Sequence, residues 1–386
     1  MERFDCVVVG GGMVGAAAAL GLAQQGKRVA VIEGQQPTAF DATQPMDLRV
    51  SAISPHSVKL LDALESWEGL KAMRLCPFRR LETWEHPLCR TRFSTEGLNR
   101  DWLGYIVENR LIQLSLWAQF RHFPRLRLYC PDRLVSLEER GNEVLLTLES
   151  GEQIFSELVV AADGANSKVR QLAGIGITSF DYRQHCMLIN VETEAAQQDI
   201  TWQQFTPQGP RSFLPLPGHQ ASLVWYDSPQ RIRQLGMMSN KQLEQAIDEH
   251  FPEELGEVKV IRHGAFPLTR RHAQQYFSGR VVLMGDAAHT INPLAGQGVN
   301  LGFKDVSAFL GLAAEVDDFS SPLPLLQQYE CRRRADNSLM QSTMDLFYGV
   351  FSNDLPPLKL LRNAGLALAE KAGPVKAQAL KYAMGL

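Results

Sequence analysis

The chain opens on an apolar run without alternation, Cys6-Val7-Val8-Val9, followed by a glycine cluster and an alanine-rich stretch to Ala23. Unbroken apolarity predicts a parallel strand buried on both faces, and the alanine-rich stretch predicts the helix that follows it. A second run, Arg28-Val29-Ala30-Val31-Ile32, closes at Glu33 and completes a strand–helix–strand unit. The signature returns twice. Leu158-Val159-Val160-Ala161-Ala162 runs into Asp163-Gly164, and Val281-Val282-Leu283-Met284 runs into Gly285-Asp286 and then a helical pattern. Residues 180–265 change rhythm: Ser212-Phe213-Leu214-Pro215-Leu216 and Ala221-Ser222-Leu223-Val224-Trp225-Tyr226 are short strand-like runs with Pro217-Gly218 between them. That pattern predicts a hairpin in a second, sheet-built unit. Further on, Tyr329–Met344 reads as a polar helix containing Arg332-Arg333-Arg334, and Asp345–Leu386 alternates apolar and basic residues.

The predicted fold class is α/β (α+β): a Rossmann-like nucleotide-binding domain interleaved with a mainly antiparallel β-sheet substrate domain, plus C-terminal helices. The first domain is expected to be discontinuous, over 1–75, 100–178 and 268–330. The sheet domain takes 76–99 and 179–267, and the helical region 331–386. No internal repeat or low-complexity linker separates them, so the domains are expected to interleave.

Composition narrows the class without changing it. A chain of 386 residues, 45% hydrophobic and 21% charged, has room for a sizeable core. A formal charge of −3 gives no reason to expect nucleic-acid binding. The six cysteines, at 6, 76, 89, 130, 186 and 331, form no CxxC pair and no metal-ligand spacing. Reduced thiols and no metal are therefore expected. The first residues enter a strand at once, so no signal peptide is expected, and the apolar stretches are too short or glycine-interrupted to span a bilayer.

The chemistry lies in the turns. Gly10-Gly11-Gly12-Met13-Val14-Gly15 has GxGxxG spacing. Gly10 permits the tight turn, Gly12 lets backbone approach a pyrophosphate, and Gly15 lets the helix pack close to the strand. Phosphates then meet the free amides at a helix N-terminus. Glu33, 18 residues past Gly15, stands where an acid holds ribose hydroxyls, which disfavours a 2′-phosphate. These features predict a dinucleotide and do not separate NAD from FAD. Asp163, read alone, caps a helix. Lys304 and Asp305 read as polar positions on a helix, and His289 as a structural neighbour of Asp286.

Two segments carry a family resemblance: Asp163–Arg170, which fits DGxxSxVR, and residues 285–305, GDAAHTINPLAGQGVNLGFKD. Both resemble the flavoprotein aromatic hydroxylases, single-component monooxygenases that use FAD, NADH or NADPH, and O2. The resemblance implies that Asp163 lies near the FAD pyrophosphate and the nicotinamide path, and that Asp286 hydrogen-bonds the ribityl chain. It implies that Gly296, Gln297, Gly298, Val299 and Asn300 bring amides and a helix start to the flavin pyrimidine edge, with Pro293 beside them. Arg49, in LRVSAIS, would contact the flavin or its phosphates, and Arg110, in ENRLIQLSLW, would lie beside the diphosphate. For either arginine a plain ion pair is the alternative.

The resemblance narrows to the ubiquinone-biosynthesis branch through VSAISPHSVKLLDAL, TWQQFTPQGPRSFLPLPG, SLVWYDSP, GAFPLTRRHA and SNDLPPLKLLRNAGLALAEKAG. It implies hydroxylation of a polyprenylated benzoquinol through a flavin C4a-hydroperoxide, on 2-polyprenyl-3-methyl-6-methoxy-1,4-benzoquinol. A sister ring position, on a polyprenylphenol or 6-methoxyphenol, and FAD-dependent prenyl reduction are the alternatives. The WxWxIP motif of a flavin halogenase is absent. Phe213, Leu216, Trp225, Tyr226, Pro293 and Leu294 are the candidates for the substrate face, with core packing as the alternative for most. Tyr226 is the one candidate base. From Pro356 to Leu386 five cations (Lys359, Arg362, Lys371, Lys376, Lys381) stand against one acid, Glu370, with Leu358, Leu361 and Leu368 able to share one face. That is either a packed helix with a solvated basic face, or a surface for lipid or for partner proteins of the same pathway. The location implied is the cytoplasm, peripheral on the inner face of the membrane.

Overall fold

Strands without alternation form the centre of a parallel sheet, because both of their faces must be covered by helices. The computed structural model describes residues 1–96, 100–291 and 298–371, together with 373, 376 and 378. β1 (Glu2–Val9) lies between β11 (Gln153–Ala161) and β2 (Val29–Ile32), and β18 (Val281–Leu283) and β8 (Leu126–Tyr129) extend the parallel core on either side. β17 (Phe277–Ser278), β10 (Glu143–Leu148) and β9 (Leu134–Arg140) add antiparallel pairs. The three apolar runs that end in glycine motifs are thus neighbours, and all three motifs leave the same edge of one sheet.

Helices cover this sheet: α1 (Met13–Gln24), α4 (Asn109–Phe120), α8 (Gly298–Ala313) and the first turns of the long α9 (Leu323–Phe351). α2 (Pro55–Ala63), α3 (Trp67–Met73) and α5 (Lys168–Leu172) are shorter pieces of the same layer. Buried Ala16 to Ala19 and Gly21 let α1 lie close to its neighbours; a Cβ on Gly21 would fall 2.2 Å from Leu310 Cδ1 of α8.

The second sheet runs β19 (His289–Thr290), β16 (Val258–Ala273), β12 (Ile177–Thr193), β15 (Gln220–Asp227), β14 (Arg211–Leu216), β13 (Ile200–Gln204), β5 (Arg80–Trp84), β6 (Thr91–Ser94). Every pair is antiparallel except β13 with β5. α6 (Pro229–Gly236) and α7 (Asn240–His250) cover its outer face. A small sheet of β3 (Val50–Ile53), β7 (Gly104–Glu108) and β4 (Cys76–Phe78) joins the two. β16 continues to Ala273 and β19 adds two residues of the third glycine motif, so that motif belongs to both sheets.

α10 (Pro356–Lys371) corrects the basic-face expectation. Arg362 is buried, with Nε donating to Glu85 at 2.7 Å and Nη2 also on that carboxylate. Lys359 pairs with Asp354, and Lys376 with Glu370. Three of the five cations are thus paired on the protein, Lys371 is exposed and Lys381 lies outside the described residues, while Leu358, Leu361 and Leu368 stay 44%, 67% and 69% exposed. No helix among the described residues is long and apolar enough to cross a membrane.

Candidate active site

The fingerprint turn is built as its spacing requires. Gly10 has φ +98°, and a Cβ there would lie 2.4 Å from the Ala162 carbonyl; one on Gly15 would lie 1.8 Å from the Gly10 carbonyl. Nothing stands within 4 Å of a Cβ on Gly12, which caps α1 without any side-chain hydrogen bond. The start of α1 therefore presents free amides to open space, with Met13 and Val14 in its first turn: a fitting cradle for an anion. Glu33 comes from the end of β2 and holds the turn, its Oε2 accepting from the Gly11 amide at 2.7 Å. From the other side, Gln113 Nε2 and Trp117 Nε1 both donate to the Gly11 carbonyl at 2.8 Å. These two residues of α4 escaped the sequence reading; only their spacing on one face of an amphipathic helix hinted at them.

The second motif is tied to the third. Asp163 Oδ2 caps α5 by accepting from the Lys168 and Val169 amides, while Oδ1 is buried without a partner. Arg170 donates to the Ala287 carbonyl at 3.0 Å, and Arg271 of the second sheet reaches the Ala165 carbonyl and Asn166. In the third motif Asp286 opens to solvent on one side. Dense packing around the rest of it raises its carboxyl above the usual range, partly offset by His289 and Arg49. It makes no hydrogen bond among the described residues. The Arg49 side chain is also exposed, makes no hydrogen bond among the described residues, and lies 5.8 Å over the Phe266 ring. A carboxylate, a guanidinium and an orphaned Asp163 oxygen around a free helix N-terminus are the donor and acceptor set that a phosphorylated polyol needs.

Other expected residues are occupied differently. Arg110 forks onto Asp47 (Nε to Oδ2, 2.9 Å) and donates to the Thr38 and Ala39 carbonyls, so it is the ion pair that fixes the 38–47 loop. Asn300 Oδ1 accepts from the Ser54 amide and Ser57 Oγ, and its Nδ2 donates to the Ala52 carbonyl, locking β3 and α2 to α8. Gly298 and Val299 sit in the first turn of α8. Pro293, Leu294, Gly296 and Gln297 lie outside the described residues.

The substrate-face candidates divide by strand parity. Phe213 and Trp225 point to the outer face, packed with Trp202, Phe251 and α7, away from the cofactor motifs. Tyr226 points inward but is 1% exposed, and burial, with Cys186 beside it, raises its hydroxyl well above the usual value. It cannot serve as a base near neutral pH. Leu216 is buried against Cys76, Phe78, Leu103 and Ile106. The inward face instead offers Leu188, Leu214 and Phe266, all half-buried, beneath the 46–49 segment that carries Arg49. Asn190 donates to the Met46 and Asp47 carbonyls and pins that segment to the sheet. Alternation along Arg211–Leu216 marks the two faces; only the pairing with β15 says which face looks inward.

Asp305 is not a plain helix position. It is fully buried, with Oδ2 accepting from the Gly285 amide at 3.0 Å and from His289 at 2.5 Å, and Oδ1 from Arg333 at 2.8 Å. Burial pushes its carboxyl up, yet His289 and Arg333 outweigh this and hold it at about 2.

Known proteins share the chain's family and fold. Residues 3–342 match the family described as the FAD binding domain. The 3-demethoxyubiquinol 3-hydroxylase of Escherichia coli is 52% identical over 385 residues, 99% of this chain and 98% of that one. The mitochondrial ubiquinone biosynthesis monooxygenase COQ6 of Mus musculus is 31% identical, over 98% of this chain and 90% of its own. Among solved structures, p-nitrophenol 4-monooxygenase PnpA from Pseudomonas putida shares the fold, with a TM-score of 0.81 over 98% of this chain and 97% of that one at 20% identity.

Proposed function

The chain belongs to the FAD binding domain family, among the ubiquinone-biosynthesis hydroxylases, and is an FAD- and O2-dependent monooxygenase; we propose that its substrate is a polyprenylated methyl-methoxy-benzoquinol. The ring carbon hydroxylated is then the one left bare beside the methoxy-bearing carbon. The relative at 52% identity is named for a demethoxyubiquinol, a quinol lacking one methoxy group, and this ring fits that description. The observation that carries the reading is Arg49, which lies over Phe266 of the half-buried apolar face of Leu188, Leu214 and Phe266 and whose charge also acts on the Asp286 carboxyl.

In this reading the α1 amides from Gly12 onward take the pyrophosphate, Glu33 the adenosine ribose, and Asp286 the polyol, with Asp163, Arg49 and the α8 start completing the hold. FAD, when bound and reduced by NADH or NADPH, supplies the oxygen transfer from O2. The protein's share is orientation and exclusion of water. Leu188, Leu214 and Phe266 press the ring's apolar edge, and no side-chain nucleophile takes part. The polyprenyl tail is too apolar to diffuse in water, so the strip of Leu358, Leu361 and Leu368 is proposed to meet the membrane surface from which substrate is drawn. Deleting the gene in its host tests the ring assignment. Mass spectrometry should find the monomethoxy, methylated precursor accumulating, and an earlier, unmethylated precursor would move the assignment to a sister position.

A further inference from the structure

Helix α9 buries a polar stripe. Arg333, Asn337, Gln341 and Asp345 recur at a spacing of four residues on one face, and the first three are 6%, 0% and 4% exposed. Each makes specific contacts. Arg333 Nε and Asn337 Nδ2 donate to Asp305 Oδ1 at 2.8 and 3.1 Å, and Arg333 Nη2 donates to Asn337 Oδ1 at 2.7 Å. Asn337 Nδ2 also reaches the Tyr276 hydroxyl at 3.2 Å, which donates to His272 Nε2; His272 Nδ1 in turn donates to Gln341 Oε1. That order fixes the His272 tautomer through its partners. Gln341 Nε2 donates to the Arg271 carbonyl at 3.0 Å and the Thr290 carbonyl at 3.4 Å. Asp345 accepts from Tyr182 Oη and pairs with Arg270.

These partners fall in a spatial sequence. Asp305 holds the Gly285 amide, one residue before Asp286. Thr290 is on β19, Arg270 and Arg271 on β16, and Tyr182 on β12. Between the rungs, Met340 and Met344 pack on Ile291 and Leu301, which stand either side of 292–297 in sequence. A stripe serving only to hold a helix down would be apolar, because buried polar and ionic groups return little net stability over well-packed hydrocarbon. What hydrogen bonds add is a fixed register.

We infer that the Arg333–Asn337–Gln341–Asp345 ladder is a positioning device. It sets the turn carrying Asp286 against the substrate sheet, so that cofactor and ring are held at one separation from two different domains. The inference rests on the FAD reading of the site and adds a role to a helix outside the glycine motifs.

The test is graded along the ladder, using purified holoenzyme and the matching apoprotein. Asn337→Leu should weaken FAD binding about tenfold, the usual consequence of stranding a buried partner. Gln341→Leu should do so about threefold and also change the visible circular dichroism of bound flavin, because it touches both sides. Asp345→Asn, at the far rung, should leave FAD affinity unchanged and lower the hydroxylated product formed per NAD(P)H consumed by about threefold. If Asn337→Leu does not fold, the Gln341 and Asp345 variants decide the matter. All three variants losing melting temperature while FAD affinity, flavin dichroism and coupling stay at wild-type values would overturn the inference. Affinity and dichroism need no quinol, so a wrong substrate assignment leaves the Asn337 and Gln341 arms intact.

Discussion

Val14 is wedged where two cofactor motifs meet, and Gly302→Ala probes that contact directly. A Cβ on Gly302 would stand 2.5 Å from Val14 Cγ2, and one on Gly285 3.2 Å from the same methyl. Ordinary contact begins at 3.4 Å, so the new methyl is short by about 1 Å. Val14 cannot swing away cheaply, because a β-branched residue in a helix is stiff at χ1 and its Cγ1 already lies 3.6 Å from the same point. Relief must come from moving α8 off α1, which costs about 1–3 kcal/mol by the usual scale of overpacking. That displacement parts the free start of α1 from the Gly285–Asp286 turn, so most of the cost should reappear as lost cofactor affinity, about tenfold for each 1.4 kcal/mol. Titrating apoprotein with FAD by flavin fluorescence measures it. Val14→Ala removes the colliding methyl, and the double variant should return to within about threefold of Val14→Ala alone, a coupling that double-mutant cycles resolve. Gly302→Ala binding FAD as tightly as wild type, or a double variant no better than Gly302→Ala, would refute the reasoning.

Phe266→Ala should raise KM for a short-tailed quinol about tenfold with FAD affinity unchanged, whereas Trp225→Phe on the outer face should shift melting temperature and leave KM alone. Steady-state kinetics beside thermal denaturation separates them. Asp305 is held at about 2 against an ordinary value of 3.8, so its stabilising charge is complete above the ordinary value and lost as pH falls toward 2. Urea denaturation from pH 5 to pH 2 should show wild type losing about 2 kcal/mol more than Asp305→Asn, and parallel profiles would contradict this. Because Arg362, Lys359 and Lys376 are paired on the protein, binding to vesicles containing anionic phosphatidylglycerol should change less than about twofold between low and high salt. A steep salt dependence in co-sedimentation would restore the basic-face reading.

The sequence made the nucleotide site legible because strand, glycine turn, helix and acid are contiguous, so local pattern determines local geometry. Gly10 and Gly15 form the tight, close-packed turn that their spacing predicts, and Glu33 stands at the end of β2 beside it with Oε2 on the Gly11 amide. Asp305 was opaque for the opposite reason: its partners come from two other segments, His289 from β19 and Arg333 and Asn337 from α9. Nothing near position 305 reports its burial. The i+4 stripe on α9 was visible as polarity, but polarity usually marks a solvated face, and only tertiary packing turns it inward. Phe213 and Trp225 were misplaced by parity, since a strand's alternation defines two faces without labelling them. The C-terminal cations misled through simple counting, because Glu85, the partner of Arg362, lies 277 residues earlier.

The most direct measurement is isotopic. Purified holoenzyme, reduced with NAD(P)H under 18O2, should convert a short-tailed methyl-methoxy-benzoquinol to a product carrying one 18O at the bare ring carbon beside the methoxy-bearing one. Turnover that leaves the ring without label, or places the label at another carbon, would contradict the account.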